Sequence, residues 1–450
     1  QETDLTSTWS SEGAGAASDA SSSEVPDGAM MVVDLGSTRL TVLRMSDAAR
    51  LWDYSLLRYQ KAICTPTSIC VLYETKHSVR QDRDYITYVM TAFTDNFQSS
   101  LHQVAMDDPA NPVFSLRGLD YSGVPSSNCT APVEQTCDPE AAARLDFQCA
   151  MRFSHSFHVV AQDPEAKWVK IIITDTLNGR IQQVHLDYSN GNQCGKIEWM
   201  LDGSNESFDD GCGPNDVQVF EQGDDDYMMV SCHSVTEIFG EGQVHMFKGR
   251  NVGPGTTWNR IWTYPDPAAI DEQVFVNTPH HPRLFPLEGG GYDMYYAHSA
   301  SLGAFWGMGN EGTIGSARLA SLETPPDYIA DEGLDVMTED PTFGFLRSIE
   351  RLPGGQRMVS DSMGYGPIPG VESVMYLLGP NTGSNSTLEG NWTREHNNLN
   401  LTEVGDNVIR SYTCNWMLVW GAYYLEPAAF GSFLRDREVT ADRFCEILEP

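Results

Sequence analysis

From about residue 154 onward one unit returns at intervals of about 60 residues: a short strand, a tight polar turn and a second, more apolar strand. It opens at Ser154 in "SHSFHVVAQDPEAKWVKIIITDT", at Asn215 in "NDVQVFEQGDDDYMMVSCHS" and at His280 in "HHPRLFPLEGGGYDMYYAHS". Further copies open at Leu346 and, with a shortened turn, at Ile409; a weaker copy opens at Tyr59. Each is followed by another strand pair, as "GRIQQVHLD" is by "GKIEWMLDG". A four-stranded unit of this kind has an apolar face on each side and cannot stand alone, whereas a ring of them buries both faces. The chain therefore reads as all-β, a single β-propeller. Two stacked β-sandwiches would not explain one shared register. Second strands at Val32, Val71, Ile173, Met229, Met294, Met358 and Leu418 predict seven blades, or six if the first and last segments share one. The C-terminal "DRFCEILEP" is expected to supply the strand the first blade lacks.

Residues 1–27 are Ser-, Gly-, Ala- and acid-rich and read as a flexible tether ahead of a propeller over 28–450. An insertion at about 118–146 interrupts the spacing. The chain starts at Gln1, as expected of a mature chain whose leader has been removed. No apolar run is long enough to span a bilayer. A formal charge of -34 repels nucleic acid and anionic membranes, so neither is expected as a partner. The ten cysteines include close pairs in turn-rich sequence and no CxxC, which predicts disulfides and an oxidising compartment. Cys64–Cys70 and Cys194–Cys212 are the expected local bridges. Sequons stand at Asn128, Asn205, Asn385, Asn391 and Asn400. The acidic turns do not match a calcium loop, and there is no P-loop, HExxH or GxSxG, so no metal or cofactor is expected.

In the shared register one polar column precedes each apolar strand: Gln60, His155, Asp216, His281, Arg347 and Arg410, with His280 beside it. First strands of propeller blades line the axis, so the column predicts a ring at one end of the channel. Arginines would grip an anion such as sulfate, phosphate or carboxylate, and imidazoles can donate, accept or attack. His281 and His155 are the candidate catalytic residues; Gln60, Asp216, His280, Arg347 and Arg410 are the candidate ligand-binding ones. A wet rim in which Asp216 merely neutralises an arginine is the competing expectation. His158, His233 and His298 read as weaker, structural histidines.

"IIITDTLNGRIQQVHLD" resembles the repeat of NHL-type propellers, in which a D-x-x-N-x-R-I turn joins two strands. "GKIEWMLDGSNESFDDGCGPNDVQVFEQGDDDYMMV" is similar to the arylsulfotransferase family, with Trp199, Leu201, Gly203, Phe208 and Asp216 in that family's places. The resemblance implies a secreted or periplasmic propeller that moves a sulfuryl group between phenols through a histidine, without a nucleotide. The family's Gln-His-Asp slot reads Pro214-Asn215-Asp216 here, so its histidine is replaced.

The reading that follows is a secreted, periplasmic or surface-tethered monomer that binds a small anionic or phenolic ligand, or a protein partner, at its channel mouth. An arylsulfotransferase-like enzyme and a structural or adhesive module are the alternatives.

Overall fold

The computed structural model describes residues 24–60, 64, 70–92, 98–117, 152–189, 194–202, 212–234, 242–250, 257–266, 279–287, 289–298, 313–333, 346–362, 373–379, 401–403, 408–414, 419–437 and 445–448. Residues 1–23 of the expected tether, the 118–146 insertion and all five sequons lie outside them.

Short β-branched and aromatic runs between polar turns form the strands. β1 (Ala29–Asp34), β2 (Arg39–Arg44) and β3 (Arg50–Ser55) make one antiparallel meander. The next sheet runs β4 (Cys70–Arg80), β5 (Arg83–Ala92), β6 (Gln98–Ala105) and β7 (Asp108–Arg117). The third runs β8 (Phe157–Asp163), β9 (Trp168–Asp175), β10 (Arg180–Asp187) and β11 (Cys194–Asp202). The fourth runs β12 (Cys212–Gln222), β13 (Asp225–Ser234), β14 (Gln243–Gly249) and β15 (Asn259–Tyr264). The fifth runs β16 (Pro279–Pro286), β17 (Tyr292–His298), β18 (Thr313–Leu319) and β19 (Asp327–Gly333), with β23 (Leu401–Glu403) added in parallel at its edge. The sixth runs β20 (Leu346–Arg351), β21 (Arg357–Asp361), β22 (Val374–Leu378), β24 (Val408–Cys414) and β26 (Cys445–Leu448).

The remaining strand, β25 (Val419–Leu425), pairs antiparallel with β1 from Ala29↔Leu425 onward and completes the first sheet. The ring thus has six blades, closed by one strand from the C-terminal part of the chain. The expectation of seven fails because Val32 and Leu418 were counted as separate blades. Val32 lies on β1, and the strand that follows Leu418 is β1's partner, so the first and last segments share a blade. "DRFCEILEP" does not fill the gap in that blade; its strand β26 pairs with β24 at the outer edge of the sixth.

The core lies between blades. Ile172, Ile181 and Trp199 of the third blade pack on Val217, Met228 and Phe247 of the fourth. Phe285 and Tyr295 of the fifth meet Leu346 and Ile349 of the sixth. Met30 and Val32 of the first meet Met358 and Met375 of the sixth.

Covalent ties add to this. Cys64–Cys70 is bridged, and Cys212 on β12 is bridged to Cys232 on β13 rather than to Cys194. Register explains the correction: Cys232 lies opposite Pro214, two residues from Cys212 on the paired strand. No described cysteine is free. The NHL-like turn is built on Asp175, whose carboxylate accepts from Asn178 Nδ2 and from Arg180 at 2.7 Å, while Gly179 takes φ +60. After β25 the chain docks on the β4–β5 hairpin, where Gly431 N and Leu434 N donate to the buried Asp84 carboxylate that also bonds His77.

Candidate functional site

Five of the six innermost strands lose register near the same end. β4 shifts between Leu72 and Thr75, β12 between Pro214 and Asp216, and β16 between His280 and Arg283. β20 shifts between Leu346 and Ser348, and β25 leaves Trp420 unpaired against β1. A bulge leaves a residue out of the ladder and re-aims its side chain. At His281 the backbone adopts φ +45, a left-handed conformation that costs a β-branched or bulky residue energy and collects at working sites. In the third blade the ladder begins only at Phe157; ahead of it the Thr174 hydroxyl accepts from Ser156 N and His155 N.

Each blade thereby supplies one residue to an upper ring: Tyr73, His155, Asn215, His280, Arg347 and Trp420. From Asn215 through His155, Tyr73, Trp420 and Arg347 to His280 its members touch in turn. Tyr73 packs edge-on to His155 at 4.4 Å and to Trp420 at 4.7 Å. His155 stacks on Trp420 at 5.4 Å, and the Arg347 guanidinium lies 4.6 Å from the same indole. Arg347 Nη1 donates to His280 Nε2 at 2.9 Å, and His233 packs on His280 at 4.5 Å. The NHL-like turn fixes His155: Thr176 Oγ1 donates to Pro214 O at 2.7 Å and lies 3.0 Å from His155 Nδ1. The Asn215 amide stands 3.1 Å from that nitrogen, and its other end has no partner.

Against this ring lies a charged layer. The Ser156 hydroxyl donates to Asp216 Oδ1 at 2.7 Å, and Arg283 Nη1 donates to Asp216 Oδ2 at 2.7 Å. Arg283 Nη2 donates to His281 Nδ1 at 3.0 Å, and its Nε lies 3.6 Å from Glu350. His281 Nε2 faces Glu74 Oε2 across 3.8 Å, and Lys76 lies 4.0 Å from the other Glu74 oxygen. Tyr423 stands beside His281, ring centres 6.1 Å apart.

Burial sets the protonation states. It holds His281 down, to about 3, His233 to about 4, and His155 well below the usual histidine range, so all three are neutral. It pushes Glu74 up to about 7, with Lys76 and Arg283 opposing and the Asp216 and Glu350 charges adding. Burial, the largest single influence, would raise Asp216 as well, but Arg283, the Ser156 hydrogen bond and the other cationic neighbours together outweigh it, and the carboxyl stays below its usual range. The layer therefore offers one carboxyl poised near neutrality beside one held ionised, neutral imidazoles and a fixed guanidinium. Such groups can bind a polar ligand and exchange protons with it.

The structure brings together His155, Asp216, His280, His281 and Arg347. Gln60 and Arg410 are elsewhere. Gln60 ends a short helical turn and donates to Tyr54 OH, because the segment leading to Cys64–Cys70 separates it from β4; Tyr73 holds its station in the ring and Glu74 in the charged layer. Arg410 lies on the fourth strand of its blade and donates to Met45 O and Ser46 O; Trp420 holds its station. Sequence reasoning missed Tyr73, Glu74, Arg283, Glu350, Trp420 and Tyr423, and passed over His233. The available signal was "VWGAYYL", an apolar alternating run next to the Arg410 copy. Expecting no metal also passed over a close set of ligating atoms on Glu74, Asp216 and His281, all within 4.8 Å of one another. A second set, Cys212, Cys232 and His245, is spent on a disulfide.

No family model, that of the arylsulfotransferases included, and no curated protein matches the chain. Solved propeller structures are similar to it. A dihydro-haem d1 dehydrogenase in complex with DHE matches 79% of the chain at 11% identity and TM-score 0.35, and the chain spans 62% of that structure's length. A GH43 β-1,3-galactosidase matches 68% of the chain and 90% of its own length at 11% identity and TM-score 0.35. A GH32 β-fructofuranosidase of Bombyx mori matches 69% and 63% at 10% identity and TM-score 0.34. These likenesses concern the fold and carry no argument about activity.

Proposed function

We propose that the protein is a secreted or cell-surface propeller that binds a small polar ligand, anionic or phenolic, at the ringed end of its channel. One observation carries the reading: four polar atoms on three different innermost strands, β4, β12 and β25, are buried without a hydrogen-bond partner. They are Glu74 Oε2, Asn215 Oδ1, Trp420 Nε1 and Tyr423 OH. Each would cost about 1–3 kcal/mol if left unmet, and a ligand on the axis meets several at once. The disulfides favour an oxidising compartment, and among the described residues no helix is long and apolar enough to cross a membrane.

Thermal-shift screening of aryl sulfates, phenols, phosphate, sulfate, carboxylates and sugars tests this, followed by calorimetry on Asn215→Ala and Arg347→Ala. At least one class should stabilise the wild-type chain and lose about tenfold in affinity in a variant. A panel without effect, together with a crystal structure in which ordered waters meet all four atoms, would leave a structural or adhesive module as the better reading.

Sulfuryl transfer between phenols is the second reading. What favours it is that burial keeps His155 neutral, the state in which an imidazole can attack, with Arg347 close by. Turnover of p-nitrophenyl sulfate with a phenol acceptor, lost in His155→Asn, supports it; no turnover removes it.

A further inference from the structure

Resting on the channel-binding reading, we propose that the gap between Glu74 and His281 is the seat of a ligand hydroxyl, which donates to the Glu74 carboxylate and accepts from His281 Nε2–H. The span of 3.8 Å is too long for a direct hydrogen bond, yet both side chains are almost fully buried, at 3% and 2% exposure. Glu74 Oε2 has no partner of its own. One oxygen placed between the two atoms can reach both.

The chemistry of that oxygen follows from Arg283. A guanidinium has donors only, so its contact with His281 Nδ1 at 3.0 Å requires a lone pair on Nδ1. The neutral ring then carries its hydrogen on Nε2, aimed at Glu74. Arg283 is itself held by Asp216 at 2.7 Å, so the tautomer is fixed from the next blade.

This arrangement selects against two other occupants. A metal ion would need the Nε2 lone pair, which the tautomer removes, and it would sit beside a guanidinium that already neutralises Asp216. A sulfate, phosphate or carboxylate oxygen only accepts, and above about pH 7, where Glu74 is ionised and the titrations are run, it would face the Glu74 oxygen lone pair to lone pair. A hydroxyl does both jobs. Tyr423, whose own hydroxyl is unpartnered, borders the same gap and can meet a second ligand oxygen.

The test uses pairs of compounds that differ by one methyl group, titrated calorimetrically into the full chain: p-nitrophenol against p-nitroanisole, and phenol against anisole. Methyl glucoside and methyl galactoside form the alcohol arm, p-nitrophenyl sulfate the capped anionic arm, and zinc, manganese and calcium chlorides the metal arm. Whichever hydroxyl source binds, phenol or alcohol, should lose about tenfold in affinity in Glu74→Gln. For phenols the ether should bind about tenfold more weakly than its parent, and Glu74→Gln should erase that difference. If Glu74→Gln fails to fold, Tyr423→Phe and the wild-type phenol–ether comparison decide. An ether that binds as well as its phenol overturns the proposal. So does stoichiometric metal binding that Glu74→Gln abolishes. Binding confined to p-nitrophenyl sulfate and unchanged in Glu74→Gln overturns it while leaving the channel reading intact. Failure of every compound overturns the hydroxyl seat, and the channel reading is then decided by the wider panel and the crystal structure.

Discussion

Arg283 on β16 reaches Asp216 on β12, Nη1 to Oδ2 at 2.7 Å, in a pair whose acid is 2% and whose base is 15% exposed. This is one blade clamping another at the channel wall. Arg283→Met leaves the Asp216 charge buried without its partner and should cost about 3–5 kcal/mol in urea unfolding. Replacing both partners, as Asp216→Leu with Arg283→Met, should cost less than the sum of the single changes. Additive losses would mean that the pair does not act as a unit.

The pH dependence of stability follows from the buried groups. His281 titrates at about 3 and His233 at about 4 in the folded chain, against about 6.5 when unfolded. Between those values the unfolded chain takes up protons that the native one refuses, so the histidines make stability rise with pH. Glu74 acts in the other sense: raised to about 7, it keeps a proton that the unfolded carboxyl sheds above about 4.3, so its contribution falls as pH rises. His155 and His158, buried and lowered in the same way, join the histidine side, and the raised Glu350 and Asp175 join the carboxyl side; four histidines outweigh three carboxyls. The urea midpoint should climb between about pH 4.5 and 6.5, more steeply in Glu74→Gln and less steeply in His281→Asn. A flat profile in the wild type would contradict the burial of these groups.

The Cys212–Cys232 bridge closes a loop of 20 residues across the β12–β13 hairpin, directly before the Asn215 bulge. Replacing both cysteines by Ala should cost about 3 kcal/mol of stability, the scale for a loop of this length. Non-reducing peptide mapping should recover 212 linked to 232. Recovery of 194 linked to 212 would refute the register.

Arg347 and Arg410 should separate cleanly in function. Arg347 lies against Trp420 and His280 in the ring, whereas Arg410 holds the Met45–Ser46 turn of the first blade. Any ligand found for the channel should bind about tenfold more weakly to Arg347→Ala. Arg410→Ala should leave its affinity unchanged and lower the melting temperature slightly. Equal losses of affinity in the two variants would count against the ring.

The meander of Ala29–Ser55 and the copies opening at Ser154, Asn215, His280 and Leu346 were legible because each carries its own turn chemistry and alternation. The column came with them where a bulge falls at or directly before its position, as at Asp216, His281 and Arg347, although the offset differs by one between copies and splits the column between the ring and the charged layer. It failed at Gln60, where residues between the helical turn and β4 shift the register to Glu74. It failed at Arg410, because a strand that looks like an opening strand lies at the fourth position of its blade. Arg283 was invisible for another reason: it stands beyond the bulge, and only the bend there turns it toward Asp216. Periodicity reports spacing along a strand, whereas a bulge is a decision about facing.

Closure by β25 sets an order of events for the growing chain. Met31 on β1 pairs with Tyr423, so the first blade is translated before the other five yet stays one strand short until almost the whole ring has been made. Through that interval β1 shows a bare edge of apolar residues, Met30, Met31, Val32 and Val33, which is the kind of surface neighbouring nascent chains adhere to. Ribosome spacing and chaperone supply, rather than the strength of any contact in the finished ring, should then govern how much of this protein a cell recovers intact.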